Sequence, residues 1–486
     1  MEYLNITKFS QVKTTSIANT NANSLFSSFR LTTALKSAGM IKIRGHKPLE
    51  MLFIMLLLLL DRSRSVFSGI RSLQLEKMKT PLNNMLNNEN YNWRKLLYLI
   101  AKRFLLLCPD QEGKTPVLII DDTAKEKTGR KGENVAWFYD HCKKNYLIGY
   151  QVVVAVLHNG IAAIPLDFEF KIGSSKVKSA TKSNCQKGSH SAQRKQMGKQ
   201  KKTDITIQFI KRAIQRRFKF RYLLWDSWYN SSAILKFIFK KLKSKGIDLI
   251  SMFKRDNQKF LYKGILITSK AIYIRIGKWN RDRSTGILFK SAIITVLDKQ
   301  SNRTPENQQQ LGEVRMCFFK YPHQKKYKII ISTDTELSEM EILQVYMKRW
   351  AVEVVFRDLK QYFGYYQSKS SKYAPQIADL TIRCIFYIMF CSLKVDSPGK
   401  STEQLLFEFY QEMQEEWLDL FSMLVFQEQT KSFLQFALKH GYDDVSSLIK
   451  NIDQMLMKFF EREWYEDKLV DADKYGFDEK LNRKAS

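Results

Sequence analysis

Within the stretch YMKRWAVEVVFRDLK, Arg349, Glu353 and Lys360 follow Tyr346 at offsets of three, seven and fourteen residues. On an α-helix turning ~100° per residue, the four side chains share a stripe about 60° wide. A carboxylate flanked by a phenol, a guanidinium and an ammonium suits a site that works on a phosphodiester. Trp350, Val354, Val355 and Leu359 in the same segment predict that the helix packs on a body through another face. Two more carboxylate positions stand far away in sequence: Asp121 and Asp122 close the apolar run PVLIIDD, and Asp226 closes RYLLWD. Both runs read as strands buried on both faces.

Three carboxylates brought within a few ångströms repel, and divalent cations relieve that repulsion. Oxygen ligands without thiolates select Mg²⁺ or Mn²⁺. Two such ions about 3.5–4 Å apart support in-line phosphoryl transfer. A fold that brought Asp226 and Glu353 to Asp121 and Asp122 would thus be expected to hold two ions, with one of that pair as a ligand because adjacent strand residues face opposite ways.

The elements that must position these groups follow from the pattern. Residues from about 23 to 109 are helical in period, with segments at 24–38, 48–60 and 92–107. At Pro116 the period changes to strands: 116–122, then 145–157 and 161–171, bounded by Gly or Asn turns. Between Lys171 and Lys202 there are ten Lys or Arg and no carboxylate, which predicts a mobile basic loop. A helix over 204–219, a strand over 221–226, a helix over 231–243 and a strand over 247–253 give the alternation of a parallel sheet. Residues 254–327 read as an inserted antiparallel unit of short strands, including 270–279. The strand YKIIIS and a capping box at Ser338 with Glu341 then precede the charged helix.

The 486 residues suit several domains, and a 44% apolar content fills their cores. A net charge of +32 and a pI near 9.7 point to a polyanionic partner. The charge is uneven: residues 401–486 hold 18 acidic and 10 basic side chains, which leaves an excess of 40 cations on the first 400. The six cysteines show no zinc-like spacing, so they read as reduced thiols of a cytoplasmic protein, and His141 beside Cys142 lacks partners for a zinc site. The most apolar run, Met51–Leu60, is half of what a membrane-spanning helix needs, and the N-terminus has no secretory pattern.

The spacing Tyr-(2)-Arg-(3)-Glu-(6)-Lys at Tyr346, Arg349, Glu353 and Lys360 resembles the YREK signature of the DDE transposases of the insertion-sequence-four group. Asp121-Asp122-Thr123 resembles that family's first motif, and Asp226-Ser227-Trp228-Tyr229 its second, where Trp228 departs from the usual small residue. The resemblance implies an α/β fold with an RNase H-like core, a β-rich insertion, a helical N-terminal domain and a helical C-terminal region. The corresponding boundaries are 1–110 for the DNA-binding helices, 111–253 and 327–395 for the two parts of the core, 254–326 for the insertion and 396–486 for the tail.

By the same resemblance, Asp121, Asp226 and Glu353 are the ligands of two Mg²⁺ or Mn²⁺ ions, Tyr346, Arg349 and Lys360 contact DNA phosphates, and Lys42, Arg44, Lys47, Arg62 and Arg64 contact phosphates of the element's terminal DNA gripped by the N-terminal helices. Trp279 either stacks on an extruded base or covers a small β-sheet. The tail, with Leu405, Phe407, Phe409, Trp417, Leu420 and Leu424, either pairs subunits or caps the core. The implied activity is cut-and-paste DNA transposition on terminal inverted repeats and target DNA, by a homodimer associated with the bacterial nucleoid and not with a membrane. A nuclease or recombinase on the same fold, or a non-catalytic DNA-binding remnant, is the alternative.

Overall fold

Valines, isoleucines and leucines set the centre of the molecule. Val117, Leu118, Ile119 and Ile120 are all fully buried in a computed structural model that describes residues 21–42, 44–60, 65–72, 75–111, 113–129, 131–140, 144–172, 185–254, 258–298 and 309–412. They open β1 (Val117–Glu126), the third strand along a sheet whose edge strands are less buried.

The chain divides into two units. The first draws on Met1–Thr33, Ile41–Met85 and Lys400–Ser486, and its described elements are helical. The helices there and just beyond are α1 (Asn21–Ser28), α2 (Leu31–Ser37), α3 (Pro48–Leu60), α4 (Val66–Ser72) and α5 (Lys79–Asn87). The segment expected as one helix over 24–38 breaks at Arg30, whose φ is +48°. Lys42, Arg44 and Lys47 are exposed ahead of α3, while Arg62 and Arg64 lie outside the described residues. Residues 402–412 are helical; the rest of the expected C-terminal region, including Trp417, Leu420 and Leu424, lies outside the described residues, as do His141 and Cys142.

The second unit, Ala34–Met40 and Leu86–Gly399, is built on one mixed sheet. After α6 (Trp93–Leu107), capped by the Asn92 side chain on the Lys95 amide, come β1, β2 (Ala136–Asp140), β3 (Asn145–His158) and β4 (Ala163–Lys171). Next are α7 (His190–Gly198), α8 (Lys202–Gln215), β5 (Tyr222–Trp225), α9 (Ser232–Phe237) and β6 (Asp248–Phe253). Then follow β7 (Lys259–Tyr262), β8 (Ile265–Thr268), α10 (Ser269–Arg275), β9 (Asn280–Arg281), β10 (Leu288–Leu297), β11 (Gln310–Lys320) and β12 (Lys328–Ser332). The unit closes with α11 (Glu339–Met347), α12 (Ala351–Gln361) and α13 (Tyr373–Asp396).

The strand order is β2-β3-β1-β5-β6-β12-β11-β10-β7-β8, with β4 also on β3 and β9 on β10. β1, β5 and β6 run parallel; the remaining pairs are antiparallel. The fold is thus a mixed α/β core flanked by N- and C-terminal helical regions. The strands expected as an inserted unit extend the same sheet, because β12 pairs with both β6 and β11. α13 is long and apolar enough to cross a membrane, yet it is almost wholly buried against α6 and β4, the position of a core helix.

Two local expectations change. Residues 269–275 form helix α10, capped by the Thr268 hydroxyl on the Ala271 amide, instead of a strand. The basic tract after Lys171 also folds in part: Ser189 caps α7, and Arg194 is buried against Glu169, its guanidinium also donating to the Phe168 carbonyl. Arg94 reaches the same β4 carboxylates, Asp167 at 3.0 Å and Glu169 at 2.5 Å, and Arg212 holds Asp167 at 2.7 Å. A tract without carboxylates folds because β4 supplies them. Gly198 ends this helix where an added Cβ would stand 2.3 Å from the Phe170 carbonyl oxygen.

Candidate active site

The parallel register sets the first relationship. Ile120 on β1 pairs with Trp225 on β5, so Asp121 and Asp226 are the next residue on neighbouring strands. β1 continues through Glu126, so Asp121 and Asp122 sit inside a strand and β5 alone ends here. Beyond the site β1 is fixed by buried Lys125, 3.4 Å from Asp379 on α13, and by Lys127, which donates to the Ser368 carbonyl at 2.6 Å. Burial, with Lys125 nearby, pushes the Lys127 ammonium down to about 7.

Asp226 caps a single 3₁₀ turn, Ser227–Tyr229, accepting the Ser227 amide at 2.6 Å. That turn aims two aromatics in opposite senses. Trp228 is exposed, with Lys254 Nζ 3.2 Å from its ring centroid, whereas Tyr229 is buried and its hydroxyl donates to Asp122 Oδ1 at 3.0 Å.

The charged helix arrives in two pieces. The Ser338–Glu341 capping box starts α11, a 3₁₀ turn spans Lys348–Trp350, and α12 follows. Val352, Val355, Phe356 and Leu359 are buried, and α12 packs on β1 and β4. Trp350, expected on the packed face, is exposed because the 3₁₀ turn rotates it outward. The same turn directs Arg349 inward. Its Nη1 donates to Asp121 Oδ2 at 3.1 Å and its Nη2 to Glu353 Oε1 at 2.7 Å.

Tyr346, Arg349, Asp121 and Glu353 therefore meet, and Asp226 joins them electrostatically: its charge acts on both Asp121 and Tyr346. The Tyr346 hydroxyl is buried beside the guanidinium with no partner in hydrogen-bond geometry among the described residues. Burial lifts the Asp121 carboxyl to about 7, and the charges of Asp122 and Asp226 add to the rise, while the Asp122 amide and Arg349 oppose it. Burial likewise pushes the Tyr346 and Tyr229 phenols up.

Asp122 has a different set of partners. Lys202 Nζ and the Tyr229 hydroxyl both donate to its Oδ1 at 3.0 Å, and Gln151 Nε2 donates to Oδ2 at 2.7 Å. Lys202, Gln151 and Tyr229 were not among the residues singled out from sequence. Only Tyr229, three places after Asp226, stood in a motif; Lys202 lay in the tract read as a loop.

Lys360 and Trp279 stand elsewhere. Lys360 Nζ is 6.0 Å from the Phe356 ring centroid, two helical turns beyond Glu353. Trp279 packs edge-on against Tyr273 at 5.8 Å, with Lys290 Nζ 5.1 Å from its ring centroid, in an aromatic cluster that includes Phe318 and Tyr327.

The expectation of two Mg²⁺ or Mn²⁺ ions on Asp121, Asp226 and Glu353 is corrected by this arrangement. Among the described residues no group of three or more His, Cys, Asp or Glu side chains is placed to hold a metal ion. The physical reason is Arg349: its guanidinium lies between Asp121 and Glu353 and supplies the positive charge that balances them. Asp122, the alternative ligand, is occupied by Lys202, Tyr229 and Gln151.

Two family models match the chain. One, described as DDE superfamily endonuclease, covers residues 43–262, and the other, described as Transposase DDE domain, covers residues 187–389. A search of curated proteins gives no match. Among solved structures, the crystal structure of the NurA nuclease from Sulfolobus solfataricus aligns over 59% of this chain and 96% of its own at 12% identity, with a TM-score of 0.21. The two family models overlap across β5, β6 and β7, and between them they take in the strands bearing Asp121 and Asp226 and the helix bearing Glu353. Residues 43–389 are thus matched by models of the DDE superfamily of transposase and endonuclease domains.

Proposed function

We propose that this chain is a DNA transposase of the insertion-sequence-four type, which cleaves DNA at the ends of its element and joins the freed strand to a target. The observation that carries the proposal is the meeting of Asp121 and Glu353, 232 residues apart, on one guanidinium beside Asp226 and Tyr346. A half-buried cluster of this kind, inside β1 and at the end of β5, has little structural purpose, and perturbed carboxylates concentrate at reactive sites.

In this reading the cations receive the substrate. A DNA phosphate entering the cluster competes for Arg349 and accepts from the Tyr346 hydroxyl beside it. The carboxylates so released orient the attacking hydroxyl, of water in cleavage and of the cut strand in joining. A new P–O bond forms as the bond to the leaving oxygen breaks, and the attacking hydroxyl's proton passes to the cluster. Asp122, held by three donors, keeps β1 in register with the turn after β5.

The test is Glu353→Gln on a duplex carrying the DNA that flanks this reading frame. Wild type should cut and join, and the variant should bind with similar affinity and do neither. Cutting without joining by wild type would assign a nuclease, and binding without either step a non-catalytic remnant.

A further inference from the structure

The β-rich segment carries a groove far from the carboxylates. The turn between β9 and β10 and the turn between β11 and β12 come together there, and Gly286, Leu288, Lys320, Tyr321, His323 and Lys325 line about 400 Å³ of open space. Arg281 reaches its mouth: an added Cβ on Gly286 would lie 3.8 Å from the guanidinium. Lys325 and Arg281 are exposed and Lys320 is half-buried, and none of the three pairs with a carboxylate among the described residues.

The charge is one-sided. Residues 258–328 contain 15 Lys or Arg and four Asp or Glu. The carboxylate nearest in sequence, Asp282, is spent on its own turn, accepting from Ser284 Oγ at 2.7 Å and from the Thr285 amide at 2.8 Å. Lys290, by contrast, is a structural cation: it is buried and donates to the carbonyls of Tyr273 and Ile276 at 2.7 and 3.2 Å. Among the described residues, the cations at the groove have no such partners.

Topology places the groove relative to the carboxylates. β5 and β6 run parallel to β1, so their C-terminal ends share an edge of the sheet with Asp121 and Asp226. β12 is antiparallel to β6, with Ile329 opposite Phe253, so β12 begins at that edge. Phe319 on β11 lies opposite Lys328, and Leu288 on β10 lies opposite Lys320. The groove therefore opens on the edge that bears Asp121 and Asp226. Five strand steps of ~4.8 Å separate β1 from β10, about 24 Å. At 3.4 Å per base pair that is roughly seven base pairs of duplex.

We propose that this groove binds the sugar-phosphate backbone of double-stranded DNA about seven base pairs from the bond held at the carboxylate cluster. The proposal rests on the reading that DNA occupies that cluster. A groove floored by strands and rimmed by Arg281, Lys320 and Lys325 contacts phosphates without reading bases, so it fixes the angle of the duplex and adds no sequence preference.

The test uses the full chain and fluorescence anisotropy of a labelled duplex across a salt series. Lys325→Gln and Lys320→Gln should each weaken binding and lower the salt slope by about one, while Lys325→Arg keeps the wild-type slope. Neutral methylphosphonate linkages about six to eight base pairs from the cleaved end should erase the difference between wild type and Lys325→Gln. Unchanged slopes in both glutamine variants overturn the proposal. So does a difference that survives the methylphosphonates, or an equal loss on single-stranded RNA of the same length. Binding is read without cleavage, so an inactive wild type with these slope changes counts against the transposase reading and not against the groove, whereas normal cleavage with unchanged slopes does the reverse.

Discussion

The Tyr229 hydroxyl donates to Asp122 Oδ1 at 3.0 Å, so the residue three places after the second aspartate holds the residue beside the first. Two stretches of sequence more than a hundred residues apart are joined by one half-buried hydrogen bond to a carboxylate.

Tyr229→Phe keeps the ring and removes that donor. A hydrogen bond to a charged acceptor contributes roughly 1.5–3 kcal/mol, and Lys202 on the same oxygen offsets part of the loss. We expect a destabilisation of about 1.5 kcal/mol in urea denaturation. The same variant should lose DNA cleavage more than DNA binding. A variant as stable and active as wild type would show that Lys202 and Gln151 hold Asp122 without help.

Asp121→Asn tests the half-buried carboxyl through pH. Burial lifts this carboxyl to about 7, against ~3.9 in an unfolded chain. Between about pH 4 and pH 7 the native state retains a proton that the unfolded state has released, so wild-type stability falls as pH rises through that window. Above pH 7 both states are ionised and the loss is complete. The asparagine does not titrate, so it should be more stable than wild type at pH 8 by roughly 1–3 kcal/mol after the lost Arg349 pair is counted. The advantage should vanish below about pH 4. A stability difference that is flat from pH 4 to pH 8 would mean that Asp121 does not titrate there.

Arg194 and Glu169 offer a double-mutant cycle. Glu169 is fully buried and accepts from Arg94 at 2.5 Å and Arg194 at 3.4 Å. Arg194→Met strands part of a buried charge and should cost about 3–5 kcal/mol. In a Glu169→Gln background the further cost should fall by roughly 1–3 kcal/mol, the coupling between the two side chains. Strict additivity would assign the Arg194 contribution to its contacts with the Phe168 carbonyl and ring.

Much of this arrangement could be read from the sequence, for identifiable reasons. The strands β1, β3, β5, β6 and β12 are continuous apolar runs, and burial on both faces leaves little else for them to be. The Ser338–Glu341 box marked the start of α11 because capping is local chemistry. What was not legible depends on partners distant in sequence. α7 looks disordered until the buried Asp167 and Glu169 are known to face it. Residues 269–275 alternate like a strand, and the Thr268 cap decides for a helix. The even stripe of Tyr346, Arg349, Glu353 and Lys360 assumed an unbroken helix; the 3₁₀ turn at Lys348–Trp350 moves Arg349 in and Trp350 out. Like-charge repulsion called for a counter-charge among the carboxylates, and the chain supplies it from its own Arg349.

The unbroken hydrogen bonding from β6 through β12 to β10 makes the segment between the second and third acidic residues a structural wing instead of a detachable accessory. Excising it would strip β12 of a neighbour and lay bare a row of backbone donors and acceptors, an invitation to edge-to-edge aggregation. Any shortened relative of this chain must therefore find another cover for β12, or a gentler trim confined to the outermost ribbon of β7 and β8.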